Sequence, residues 1–198
     1  MSRCLVTLNY LGPVWQYALM SKYDTVQIEA FDNFQKASLR NRCHIVGSNG
    51  VQLLSIPIEG GREKRMPYRE ILIANDSPWQ QKHWRSLEAA YRNSPYFEYY
   101  EDYFRPFYMQ PQDYLFEFNE GLRKVLFRLL EIGAVAVLTE TYEKAPVIND
   151  YRGMEHADGL SPVYYQVFAD RLGFIGNLSI VDLLFNLGPG AAPFLKSF

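Results

Sequence analysis

His83 sits in the run Trp79-Gln80-Gln81-Lys82-His83-Trp84, just after a helix start at Ser77-Pro78, where Ser caps and Pro fits the first turn. Placed at 100° per residue, Trp79, His83, Trp84, Leu87, Ala90 and Tyr91 share one arc of about 140°. A histidine on that arc lies against apolar neighbours and titrates near neutrality, so it can pass a proton at physiological pH. The same placement suits a packing histidine with satisfied ring nitrogens. Lys82 falls outside the arc, on a polar face. Arg40, Asn41 and Arg42 lead into a strand-like run. A guanidinium there can hold phosphate or carboxylate with two parallel donors, and Asn41 can orient the group.

Other runs carry weaker chemistry. Gly60-Gly61-Arg62, with Lys64 and Arg65, has the composition of a phosphate cradle and equally that of a solvated loop. Cys43-His44 pairs a thiol with a base, but successive strand residues point to opposite faces, so Cys43 reads as core. Ser179-x-x-Asp182 reads as a helix-capping box. Ten aromatics within 96–116 suit a core helix or a surface that stacks a sugar or a base. No GxGxxG, Walker or GxSxG sequence occurs, and His44, His83 and His156 lack metal-ligand spacing. No metal site is therefore expected, and the residues name no cofactor.

These groups need elements to position them. The chain has 198 residues, 48% of them hydrophobic, 21% charged and 16% aromatic, with a net charge of -2. That suits a single compact domain over 1–198 and argues against nucleic-acid binding. Cys4 and Cys43 give no disulfide framework. The short apolar run near the start is no signal peptide, and no stretch reaches the ~20 residues of a membrane span. A cytoplasmic protein without membrane insertion is expected.

Hydrophobic patterning predicts strands near 3–8, 25–30 and 134–138, and weaker ones at 71–74 and 163–168. Helices are predicted over about 13–22, 78–93, 113–132 (capped by Asp113 and Gly133) and 179–187. The aromatic segment should bend or end at Pro106. Asn49-Gly50 predicts a type I′ hairpin over 42–57, with Ser48 opposite Val51 and Cys43 opposite Ile56. Cys43, Ile45, Leu54 and Ile56 should then share one face. Residues 58–67 and 140–162 read as loops. The fold class is α/β, or α+β, with a mixed sheet, this hairpin and packed helices.

Several of these motifs fall together in order. Phe34-Gln35-Lys36 precedes Asn41-Arg42. Trp79-x-x-Lys82-His83 is followed by Leu87-Glu88, Tyr91 and Pro95-Tyr96-Phe97. The chain closes on Leu178-Ser179-Ile180-Val181-Asp182-Leu183-Leu184-Phe185-Asn186-x-Gly188. Over nearly all its length the chain resembles the WbqC-like protein family, and Glu29 to Ile58 resembles its Bacteroidetes-type branch. Family members often sit in O-antigen and other surface-polysaccharide gene clusters. The resemblance implies a cytoplasmic transferase step on a sugar nucleotide or amino sugar, such as acyl or aminoacyl transfer. It supplies no catalytic residue. The chain departs from its relatives in two places. Asn9-Tyr10-Leu11 stands where many have a Gln-Pro-aromatic run. Where many have paired acids near the second strand, the nearest here are Glu29 and Asp32.

The expected site joins Asn41, Arg42, Lys82 and His83 on one concave surface. His83 is the catalytic base, Arg42 and Lys82 meet a phosphorylated small molecule such as a sugar nucleotide, and Asn41 and Asn186 add hydrogen bonds. Two other classes stay open: a non-enzymatic partner in a biosynthetic complex, which an exposed aromatic patch at 96–116 favours, and a nucleotidylyltransferase. The latter commonly carries H-x-G-H at its first helix, and Gly12–Tyr17 holds no histidine.

Overall fold

The computed structural model describes residues 1–60, 66–154 and 163–197. The chain opens β1 (Arg3–Thr7), α1 (Val14–Met20), β2 (Thr25–Glu29). β1 and β2 pair in parallel, Arg3 opposite Thr25 and Thr7 opposite Glu29. A parallel pair needs a crossover, and α1 supplies it. The helix starts one residue after Pro13, whose ψ of 156° is extended. Far along the chain, β5 (Val135–Leu138) adds in parallel to β2, and the two-residue β6 (Asn149–Asp150) adds in parallel to β1. The order is β5-β2-β1-β6, so all four carboxyl ends leave from one edge. β6 lies in a stretch predicted to be loop throughout.

The hairpin forms a second, separate sheet of β3 (Arg42–Gly47) and β4 (Gly50–Ser55). Its turn is Ser48-Asn49 rather than Asn49-Gly50, because Gly47 pairs with Gly50 and Cys43 with Leu54. Gly50 takes φ +108°, while neither Ser48 nor Asn49 has a positive φ, so the type I′ geometry is absent. The partners shift by two residues, which preserves side-chain parity. Cys43, Ile45, Leu54 and Ile56 are accordingly all buried.

The helices α2 (Trp79–Tyr91), α3 (Phe97–Met109) and α4 (Leu115–Leu129) follow. α2 packs on β3 and α3, and α3 packs on α4. α2 buries Trp79, His83, Trp84, Leu87, Ala90 and Tyr91, the predicted arc, and leaves Lys82 exposed. α3 continues through Pro106 and buries Phe97, Phe104 and Tyr108. Tyr103, one of the ten aromatics of this segment, is exposed. Ser77 and Asp113 make no side-chain caps, and each helix begins two residues after them. Glu131, at φ +50°, makes the left-handed step expected of Gly133. Segment 163–168 forms no strand, and 71–74 contributes only isolated bridges to Ile58 and Tyr114.

The short α5 (Ala169–Leu172) precedes α6 (Ile180–Leu187) and α7 (Ala191–Lys196). α6 is buried nearly all round. Phe185 stands edge-on to Phe97 and Phe104 and tilted against Tyr91, at ring distances of 5.1, 5.6 and 5.3 Å. Gly188 ends α6 at φ +55°, and a Cβ there would stand 2.4 Å from the Tyr96 ring, so both backbone and space demand glycine. Among the described residues no helix is long and apolar enough to cross a membrane.

Candidate functional site

The shared carboxyl edge of the parallel sheet gathers polar side chains from all four strand ends. Glu29, the last residue of β2, is 0% exposed. Its Oε1 accepts from the Phe31 backbone N–H at 2.9 Å and from the hydroxyl of Thr139, next after β5, at 3.0 Å. Its Oε2 accepts from Arg152 Nη1 at 2.8 Å. Arg152 also forks onto Asp150 of β6, with Nε to Oδ1 at 2.9 Å and Nη2 to Oδ2 at 2.7 Å. Thr7, the last residue of β1, donates its hydroxyl to the Arg152 carbonyl at 2.9 Å. The Tyr142 ring lies over the same guanidinium at 5.1 Å. Hydrogen bonding from Arg152 holds the Asp150 carboxyl below its ordinary range.

The chain leaving β2 forms the wall of a cleft. Phe31, Asp32, Asn33, Phe34 and Gln35, with Tyr142 opposite, line an open space of about 460 Å³. That is the size of small-molecule sites, and this edge is where open α/β sheets bind ligands. Asp32 pairs through Oδ2 with the buried Arg40. Arg40 in turn lies over the Tyr68 ring at 5.5 Å, and its carbonyl accepts from Asn119 Nδ2 at 2.7 Å. Burial pushes the Asp32 carboxyl up. The Arg40 guanidinium opposes that shift and the Glu29 charge reinforces it. Among the described residues no group of three or more His, Cys, Asp or Glu side chains is gathered around a metal position.

None of the five residues expected at the site lines this cleft. Asn41 donates to the Ile56 carbonyl at 2.9 Å and fastens the hairpin base. Arg42 lines a separate cavity of about 10 Å³, room for one water, beside Tyr10, Cys43 and His44. His83 is 5% exposed, and its Nδ1 lies 2.9 Å from the Tyr10 hydroxyl, which also meets Tyr108 at 2.8 Å. The Ser55 backbone bonds the same imidazole, and burial pushes its pKa down to about 4. Neither Asn41 nor His83 lines the small cavity beside Arg42. Lys82 is exposed, and Asn186 belongs to another group. Its Nδ2 donates to the Asp182 carbonyl and its Oδ1 accepts from the Val167 N–H.

Ser179 is the N-cap of α6, as expected, but through Val181 rather than Asp182. Its Oγ accepts from Val181 N at 3.4 Å and donates to the Leu11 carbonyl at 2.6 Å. The Asp182 carboxylate is buried and accepts from Tyr164 at 2.7 Å and Gln166 at 3.0 Å. Burial pushes its pKa up to about 6. Cys43 is in the core, and burial pushes its thiol up. Gly61–Arg65 of the suggested phosphate loop, and His156, lie outside the described residues.

His83 and Asp182 tilt stability in opposite directions. A neutral buried histidine contributes stability that is present above pH 6.5 and lost as pH falls through about 4. A carboxyl raised from 3.8 to about 6 contributes stability that is present below 3.8 and lost as pH rises through about 6. Each shift is worth on the order of 3 kcal/mol, so the two slopes offset one another in the overlapping window. Urea midpoints from pH 4 to 7 are expected to fall with rising pH in His83→Gln and with falling pH in Asp182→Asn. Profiles parallel to wild type in both variants would refute this burial-driven titration.

Sequence reasoning singled out Glu29, Asp32 and Arg40 but assigned them no common site. It missed Thr139, Tyr142, Asp150 and Arg152, which lie in or beside a stretch without periodicity. The available signal was the fork spacing Asp150-x-Arg152, together with a carboxylate closing a buried strand.

The fold and site define an α/β protein with an open cleft at the carboxyl edge of a parallel sheet. The chain belongs to the WbqC-like protein family, whose model matches residues 10–152. The matched stretch runs from the tyrosine that meets His83 to the arginine that closes the strand-end network. The chain is also similar to the uncharacterized protein Rv1507c of Mycobacterium tuberculosis, at 26% identity over 227 residues, covering 97% of this chain and 96% of the relative. No solved structure matches.

Proposed function

We propose that the protein is a cytoplasmic transferase of surface-polysaccharide, O-antigen-type biosynthesis, acting on a sugar nucleotide or amino sugar by acyl or aminoacyl transfer. The cleft carries this reading. Phe31, Phe34 and Tyr142 offer ring faces to a sugar or a base, and Asp32, Asn33 and Gln35 offer polar edges to its hydroxyl or amino groups. Family membership supports the same reading. The test is a thermal-shift screen of the whole protein against sugar nucleotides, amino sugars and acyl donors. A true ligand stabilises by RT ln(1 + [L]/Kd), about 2.7 kcal/mol at a hundredfold excess over Kd. Tyr142→Ala is expected to abolish that shift. A shift that survives in Tyr142→Ala, or no shift from any of the three classes, would sink the proposal.

A second reading, a non-enzymatic partner of a biosynthetic complex, is favoured by one observation. α3 turns Tyr99 (73% exposed), Tyr103 and Met109 outward. Exposed aromatics at helical spacing suit a protein interface.

A further inference from the structure

We infer that the outward face of α3 is a docking surface for an arginine-bearing segment of a partner protein. The inference rests on the second reading above and adds the chemistry of the partner. The first observation is the rings. Tyr99 and Tyr103 are four residues apart, so they are neighbours on the helix surface, and they are 73% and 42% exposed. Pro106 and Met109 carry the same exposed face towards the end of the helix. Tyrosine rings without apolar cover attract a guanidinium face-on. This surface already does so once, where Arg128 of α4 lies over the Tyr103 ring at 5.1 Å. The Tyr99 ring has no cation over it among the described residues.

The second observation is an acceptor deprived of its donor. Pro106 lies inside α3 and has no N–H, so the Asp102 carbonyl, four residues before it, lacks its helical partner. The Asp102 side chain is itself exposed. A guanidinium, with five N–H donors in a planar fork, can serve this carbonyl and this carboxylate together. The third is charge. Glu98, Glu101 and Asp102 stand on α3, and the charge of Glu131 reaches Tyr100. Against these four acids stand Arg105 and Arg128, and none of the six is in an ion pair among the described residues. Glu98 is in the first turn and complements the helix dipole, whereas Asp102 lies in mid-helix, where the dipole does not account for it. The excess is negative, so the face repels a nucleic acid or an anionic membrane and draws a cation. An isologous contact with a second copy would set this excess against itself.

Fluorescence anisotropy of the full chain at pH 7 tests this with a labelled peptide of alternating arginine and glycine. The control peptide carries citrulline, the neutral isostere, in place of arginine. The arginine peptide is expected to bind about tenfold more tightly at about 50 mM salt, and to weaken as salt is added. Tyr99→Ala and Asp102→Asn are each expected to weaken it about fivefold. Both side chains are exposed, so both variants keep the fold, which circular dichroism checks. Glu117→Gln, which removes an exposed charge from α4, is expected to leave binding unchanged. A loss in Glu117→Gln as large as in Asp102→Asn marks bulk charge attraction and overturns the inference. Equal binding of both peptides, lost in Tyr99→Ala, overturns the cation assignment and leaves the interface reading standing. A dimer in ultracentrifugation that Tyr99→Ala abolishes gives the face to a second copy and overturns the inference too. No binding of the arginine peptide overturns the cation assignment, and binding untouched by Tyr99→Ala overturns the interface as well.

Discussion

Arg152→Ala is expected to lower the unfolding free energy by about 3–5 kcal/mol, the range for a buried ion pair that loses one partner. Arg152 is the cation that meets the Glu29 carboxylate. Without it, Glu29 keeps only the Thr139 hydroxyl and the Phe31 N–H, too little for a charge removed from water. Glu29→Gln is expected to cost less, because Arg152 retains its fork on Asp150. Adding Glu29→Gln to Arg152→Ala should recover part of the loss, since it removes the stranded charge. Urea denaturation of the four proteins completes the cycle. A loss below about 1 kcal/mol for Arg152→Ala is the behaviour of a solvated surface pair and would refute the buried network.

Phe185→Ala is expected to cost a similar amount, about 3–5 kcal/mol, through lost transfer energy and a cavity that the surroundings do not fill. Its ring is almost wholly buried on a helix without an exposed apolar face. Tyr91, Phe97 and Phe104 come from two other helices and all lean on this one ring. Collapse would have to move α2, α3 and α6 together. Phe185→Leu should cost distinctly less. The denaturation midpoint should fall with an unchanged m-value, as for a loss of packing within an intact fold. A loss under about 1 kcal/mol would mean that the three helices do close on the gap.

What the sequence made legible was what local period dictates. The six buried positions of α2 follow from a 100° step alone. The hairpin's buried face was readable even though its turn lies one residue earlier, because a slip of both strands moves partners by two and keeps parity. Helix starts were less legible. Ser77 and Asp113 have the right chemistry for caps, but the helices begin beyond them. Ser179 does cap α6, and its hydroxyl hydrogen goes on to Leu11, 168 positions away. The choice of α3 face was also hidden, since with aromatics all round only the packing partners decide which ring goes inward. The cleft was least legible. It depends on parallel pairing between distant segments and on a strand of two residues. The polar groups singled out at the hairpin base, Asn41 and His83, are instead engaged by the backbone of residues 55 and 56.

The strand order carries a kinetic consequence. β1, α1 and β2 lie within the first 29 residues and can assemble through short loop closures. The strands that flank them arrive only after more than a hundred further residues, and non-local pairings of this kind form slowly. The bond between Glu29 and Arg152 spans 123 positions. The cleft, which needs Tyr142 beyond β5, is therefore expected to mature after the pair of strands that underlies it. A chain arrested before that stage has at most its local β-α-β unit and lacks the cleft.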